Sequence, residues 1–264
     1  MLTDINIGQH IPGNSVIHNL DPRIKIISTL IAIIVLFLIS SFMGFFVFFI
    51  SVVTIAVISR IPLLRILKGL KPLFFLMLLT LFFHIFLTRG GEVIWEWWFL
   101  RIEEEGIYRG FFMVSRIMLL IMFTSLLTLT TSPMDLTDGI EYILNPFRKI
   151  GVPAGELAMM MTIALRFIPT LLNEADKIIK AQKSRGADFE SGNLIRRAKS
   201  LVPLLVPLFI SAFRRADDLA LAMESRCYSG GKGRTRLNQL SIENRDIAAL
   251  VLMVVGGISI AFFF

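Results

Sequence analysis

Two kinds of hydrophobic pattern alternate along this chain. The first is the long uncharged run. Residues 26–59 form a stretch of 34 without a charge. As one helix they would reach about 51 Å, against a bilayer hydrocarbon core of roughly 30 Å. The run is therefore predicted to be a hairpin of two short membrane spans turning near Ser40-Ser41-Phe42-Met43-Gly44. Further apolar runs predict a third span over residues 72–87, a fourth over 107–130 and a fifth over 247–264.

The second kind is amphipathic and fills residues 131–246, which are too polar for lipid along their whole length and too apolar for a free linker. Three helices are predicted there. One starts after Ser132 as N-cap, with Pro133 at its first position, and runs to about Asn145, where Pro146 ends or kinks it. The next covers about 153–184, with Leu157, Met160, Met161, Leu165, Ile168, Leu172 and Ile179 at three- and four-residue spacing. Pro169 should bend it. The third covers about 193–224, with Pro203 and Pro207 expected to bend or split it; Gly186 and Ser229-Gly230-Gly231 supply the breaks after these two helices. The expected fold is all-α: about five transmembrane helices with a module of three long amphipathic helices. Its domains are residues 1–130, 131–246 and 247–264.

Charge orients the spans. The loop between the second and third spans carries Arg60, Arg65, Lys68 and Lys71 and no acid, whereas residues 89–106 set Arg89 and Arg101 against Glu92, Glu96, Glu103, Glu104 and Glu105. The first loop is thus expected inside and the second outside. Trp95, Trp97 and Trp98 in the outer loop suit an interfacial belt. The N-terminus and residues 131–246 are then cytoplasmic and the C-terminus external. The polar first 20 residues lack the apolar core of a cleavable signal.

Composition narrows the function classes. Of 264 residues 55% are hydrophobic and 18% charged, and the mean hydropathy of +0.73 is that of a membrane protein. One cysteine excludes a disulfide framework, and three scattered histidines (His10, His18, His84) suggest no metal cluster. The net charge of +7 does not gather into a basic patch with stacking aromatics, so no nucleic-acid partner is expected. No Gly-x-x-x-x-Gly-Lys-Ser/Thr phosphate loop occurs; Gly230-Gly231-Lys232-Gly233 has neither the spacing nor the hydroxyl.

One repeat stands out. Ala175-Asp176, Ala181 and Ser184-Arg185-Gly186 recur 41 residues later as Ala216-Asp217, Ala222 and Ser225-Arg226-Cys227. Each copy closes a predicted helix and places one arginine at its C-terminal end. Alone, such an arginine is a capping charge worth about 0.3–1 kcal/mol against the exposed carbonyls. Its recurrence inside a repeat points instead to two docking prongs, each a rigid cationic fork suited to a partner's carboxylate.

These paired phrases, together with His18-Asn19-Leu20-Asp21-Pro22-Arg23-Ile24-Lys25-Ile26 and the five-span layout, resemble the transmembrane T component of energy-coupling factor (ECF) transporters, the EcfT and CbiQ family. The family phrase is Ala-Arg-Gly or a close variant; both copies here have Ser for Ala, and the second has Cys227 for Gly. The resemblance implies a non-catalytic coupling subunit in a bacterial or archaeal cell membrane. It would join two ABC-type ATPases to a small substrate-binding membrane protein, the S component, that takes a vitamin or a transition-metal ion. ATP and Mg would be held by the ATPases, with no cofactor or metal on this chain. Ser184, Arg185 and Gly186 would meet one ATPase, and Ser225, Arg226 and Cys227 the other. Met160, Met161, Leu165, Ile168, Leu172, Leu205 and Phe209 would form the platform for the S component.

A membrane-embedded enzyme acting on a lipid or diphosphate is the alternative. It would draw on Asp135, Asp138 and Glu141, spaced by three, though acids in a first helical turn also complement the helix dipole. Arg116 and His84 lie inside apolar spans, where an ionisable group is a functional candidate by default, but neither has a charged partner visible in the sequence.

Overall fold

The computed structural model describes residues 10–97, 100–187, 194–228, 230 and 241–263. Trp98, Asn193, Ser229, Gly231, Lys232, Gly233 and Phe264 lie outside the described residues. The chain divides into two compact units, one within Gly8–Ile140 and Leu240–Phe264 and the other within Glu141–Gln239.

In the first unit Asp21 caps α1 (Pro22–Leu38), its side chain accepting from the Arg23 N–H at 2.9 Å. The helix stops at Ile39, and Ser41 caps α2 (Phe42–Ile58) by accepting from the Gly44 N–H at 3.2 Å. The expected hairpin is therefore present, turning at residues 39–41. A short α3 (Leu63–Lys68) and one 3₁₀ turn (Lys71–Leu73) lead into α4 (Phe74–Leu87), so the third apolar run begins earlier than its predicted start at residue 72. A two-stranded antiparallel hairpin, β1 (Val93–Trp97) and β2 (Leu100–Glu103), occupies the acidic loop. It is the only strand pairing among the described residues, and its Val-Ile-Trp run favours a pleated strand. α5 (Glu104–Thr130) follows, then α6 (Pro133–Leu144), capped as expected by Ser132, whose hydroxyl oxygen accepts from the Asp135 N–H at 3.1 Å. α9 (Asn244–Phe263) closes the unit.

α5 is the hub, packing on α4, α1, α2 and α3, while α9 packs on α1 and α2. Val35, Leu36, Phe45, Phe48, Val52, Met122, Phe123 and Leu126 form the core between them. The α4–α5 contact is close because Gly106 and Gly110, one turn apart, lie against α4. A Cβ on Gly106 would stand 2.9 Å from the His84 carbonyl oxygen. Arg116 and His84 find their partners in the packing. Arg116 donates from Nη2 to the Ile39 carbonyl at 2.9 Å, its guanidinium lying among the rings of Phe37, Phe45 and Phe112, so it fastens α5 to the α1–α2 turn. His84 donates from Nδ1 to the Thr80 carbonyl of its own helix at 2.9 Å.

At the opposite end of α1 a buried polar cluster joins three helix ends. Asp246 is 2% exposed. Its Oδ2 accepts from the Glu243 N–H at 2.8 Å, closing the start of α9, and its Oδ1 accepts from the Asp21 N–H at 2.9 Å, holding the start of α1. The Lys25 ammonium donates to the Thr130 carbonyl at the last residue of α5 (3.2 Å) and to the His18 carbonyl (2.8 Å). His18 Nδ1 is hydrogen-bonded to the Ser15 hydroxyl (2.7 Å), and Nε2 donates to the Ile11 carbonyl (3.1 Å). Burial lowers its pKa from the usual 6.5, an effect that the Ile11 hydrogen bond opposes. The motif at 18–26 is thus a helix-end clamp.

The second unit holds a 3₁₀ segment (Asn145–Ile150), α7 (Ala154–Ser184) and α8 (Leu194–Glu224). α7 and α8 each run unbroken through their prolines, so Pro203 and Pro207 do not split α8. By length and composition four stretches among the described residues can cross a membrane: residues Leu63–Leu87, α5, α7 and α9; α2 is a shorter apolar helix. α7 is the least apolar of the four, and its last third carries Glu174, Asp176, Lys177, Lys180 and Lys183.

Two outcomes test this packing. Asp246→Ala orphans two backbone donors and should lower unfolding stability by on the order of 2–4 kcal/mol, with Asp246→Asn losing less, both read from thermal unfolding in detergent. Gly106→Val should destabilise by about 1–3 kcal/mol through overpacking at α4, read in the same assay.

Candidate partner-docking site

The two helix ends predicted from the repeat have one backbone geometry. At the end of α7 the Gly186 N–H donates to the Lys183 carbonyl (3.0 Å) and the Ala187 N–H to the Gln182 carbonyl (2.9 Å), with Gly186 at φ +84°. At the end of α8 the Cys227 N–H donates to the Glu224 carbonyl (2.9 Å) and the Tyr228 N–H to the Met223 carbonyl (3.0 Å), with Cys227 at φ +57°. Every donor and acceptor of the second end is the 41st residue after its counterpart in the first. Both are left-handed terminations that satisfy the last helical carbonyls. Arg185 and Arg226 occupy the same position in each, immediately before the left-handed residue.

That position matters for what the arginines can do. The helix ends on its own backbone hydrogen bonds, so neither guanidinium is needed to terminate it. Both arginines are exposed, as are Ser184, Gly186, Ser225 and Cys227. Among the described residues neither arginine has an acid within ion-pair distance. The serine hydroxyls turn back onto the helix, Ser184 donating to the Lys180 carbonyl and Ser225 to the Ala222 carbonyl, both at 3.0 Å. Each tip thus presents one exposed, permanently charged fork to solvent. The break after α8 falls at Cys227, ahead of the expected Ser229-Gly230-Gly231. A Cβ in the left-handed region costs about 1 kcal/mol relative to glycine, so sequence reasoning looked for glycine where the chain uses cysteine.

α7 and α8 meet where the Arg215 guanidinium donates to Glu174 Oε2 at 3.1 Å and the Ser211 hydroxyl donates to Glu174 Oε1. Sequence reasoning missed this contact, although the 41-residue offset that aligns the tips also aligns Glu174 with Arg215. Beyond it Ile163 and Phe167 of α7 line an open groove of about 480 Å³ with Ala216, Leu219 and Met223 of α8. The expected platform residues are divided in exposure. Met160, Met161, Leu205 and Phe209 are exposed, Phe209 at 59%, whereas Leu165, Ile168 and Leu172 are half-buried. Asp135, the first acid of the alternative enzyme site, accepts a hydrogen bond from the Ser132 hydroxyl at 2.6 Å. No metal-holding group of three His, Cys, Asp or Glu occurs among the described residues.

The chain is an α-helical, polytopic membrane protein in which two long helices, α7 and α8, end in matched cationic termini. The family model described as CbiQ, cobalt transport protein, matches residues 13–237. The energy-coupling factor transporter transmembrane protein EcfT of Clostridium kluyveri is 56% identical over 262 residues, covering 98% of this chain and 97% of the relative. That of Thermosediminibacter oceani is 56% identical over 260 residues (97% and 98% covered), and that of Bacillus subtilis 44% over 255 residues (97% and 96%). The chain belongs to this CbiQ/EcfT family of transport proteins.

The strained cysteine generates a stability prediction. Cys227→Gly should stabilise the end of α8 by about 1 kcal/mol and Gly186→Ala should destabilise the end of α7 by a similar amount. Amide exchange at Tyr228 and Ala187, whose N–H groups close the two turns, reads each effect locally.

Proposed function

We propose that this chain is the transmembrane coupling subunit of an ECF-type ABC importer. Arg185 and its neighbours Ser184 and Gly186 dock into one ABC-type ATPase, and Arg226 with Ser225 and Cys227 docks into a second. ATP and Mg bind those partners. α7 and α8 carry the displacement of the ATPases to a small S component that binds a vitamin or a transition-metal ion, with Met160, Met161, Leu165, Ile168, Leu172, Leu205 and Phe209 as its platform. The tips lie on the cytoplasmic side of a bacterial or archaeal cell membrane, and the C-terminus is external.

The observation that carries this reading is the identity of the two helix ends. Both end on the same hydrogen bonds, both expose one arginine at the same position, and neither arginine has an ion-pair partner among the described residues. Two equal prongs suit two related partners. The names of the relatives support the transporter class, and the chain has no phosphate loop of its own.

The test is a double charge reversal. Arg185→Glu with Arg226→Glu should leave membrane insertion intact and abolish both co-purification of the ATPases and transport in vesicles. Normal transport by the double variant contradicts docking through these residues. The purified chain alone should hydrolyse no ATP, and robust hydrolysis without a partner contradicts the coupling role.

A further inference from the structure

Equivalent residues of a repeat ordinarily lie apart, each in its own copy. Glu174 and Arg215 are equivalent under the 41-residue offset, yet they touch, with Arg215 donating to Glu174 at 3.1 Å. In a pair of helices related by a local twofold rotation, equivalent positions meet only at the axis. The groove beyond this contact shows that the helices run in opposing directions. Ile163 and Phe167, N-terminal to Glu174 on α7, face Leu219 and Met223, C-terminal to Arg215 on α8. An opposed pair whose equivalent residues touch at a single point is compatible with a twofold axis through that contact. From Glu174 to Arg185 and from Arg215 to Arg226 the chain advances the same number of residues. At about 1.5 Å rise per residue both arginines stand the same distance from the crossing, at the far ends of two arms that point apart.

We infer that Glu174 and Arg215 are the positioning pair of the docking device: they mark its local twofold axis and hold the two arginine tips at one spacing. The proposal rests on the docking reading for its purpose and on this contact for its geometry. Symmetry also explains the chemistry of the pair. Like charges at the two equivalent positions would repel at the axis; the chain sets an acid on one arm and a base on the other. Ser211, one turn before Arg215 on α8, donates to the other Glu174 oxygen. The carboxylate is thereby held at both oxygens, and sliding α8 along α7 by a turn in either direction would carry one of the two donors out of reach. Glu174 and Arg215 are partly exposed, so the pair fixes register more than it adds stability.

Spin labels on Ala187→Cys and native Cys227, in the full chain in detergent without partners, report the spacing of the tips by pulsed electron resonance. With the pair intact one narrow distance peak is expected. Glu174→Gln and Arg215→Gln should each lose that single peak, and the exchange Glu174→Arg with Arg215→Glu should restore it. An unchanged single peak in Glu174→Gln overturns the proposal. The failure of docking is separable: Arg185→Glu should leave the peak in place and weaken only binding of the ATPases. If it instead binds them normally, the docking reading falls while the positioning pair stands. Carried into the complex, Glu174→Gln should lower transport per ATP hydrolysed while each tip still binds a partner. Transport per ATP equal to that of the parent chain also counts against the pair.

Discussion

Helix termini are where a protein built for lipid is most constrained. Inside a helix every backbone group bonds within the segment, but the first four N–H groups and the last four carbonyls have no such partner. This chain meets that demand in two contrasting ways. In the first unit it gathers the starts of α1 and α9 and the end of α5 around Asp21, Lys25 and Asp246, where one buried carboxylate serves two helix starts and one ammonium serves a helix end. In the second unit the ends of α7 and α8 close on their own backbone, which leaves their arginines free of structural duty.

The contrast separates scaffold from device. The clamp joins segments more than 200 residues apart in sequence, Asp21 and Asp246 among them, and so fixes which helices neighbour one another. Arg116 does the corresponding work at the other end of α1, where the carbonyl at the α1–α2 turn has no helical donor and receives the guanidinium instead. The tips have no such ties. Their form is set locally, by a left-handed residue, and their spacing by the contact between Glu174 and Arg215. A left-handed cysteine in the second tip is a cost that the first tip avoids with glycine.

Much of this was legible in the sequence because the signals were local. The uncharged run at 26–59, the Ser132-Pro133 start and the periodicity from 153 to 184 each follow from composition and helix geometry, and the helices begin and end within a few residues of expectation. The repeat of Ser-Arg likewise pointed to both helix ends. What stayed hidden depends on contacts distant in sequence. Asp246 sits in a polar stretch where nothing marks it as buried, and its role appears only once α9 packs on α1. Arg116 looked partnerless because its partner is a backbone carbonyl. Glu174 and Arg215 read as two charges on amphipathic faces until the helices cross. The β1–β2 hairpin was masked by the acidic residues around it.

In the proposed assembly each arginine tip holds one ATPase independently, on equal terms. Native mass spectrometry of the complex carrying a single reversal, Arg185→Glu or Arg226→Glu, tests it most directly. The parent chain should retain two ATPase subunits, and either single variant should lose one and keep the other. Retention of both subunits by either single variant, or loss of both from one reversal alone, would contradict it.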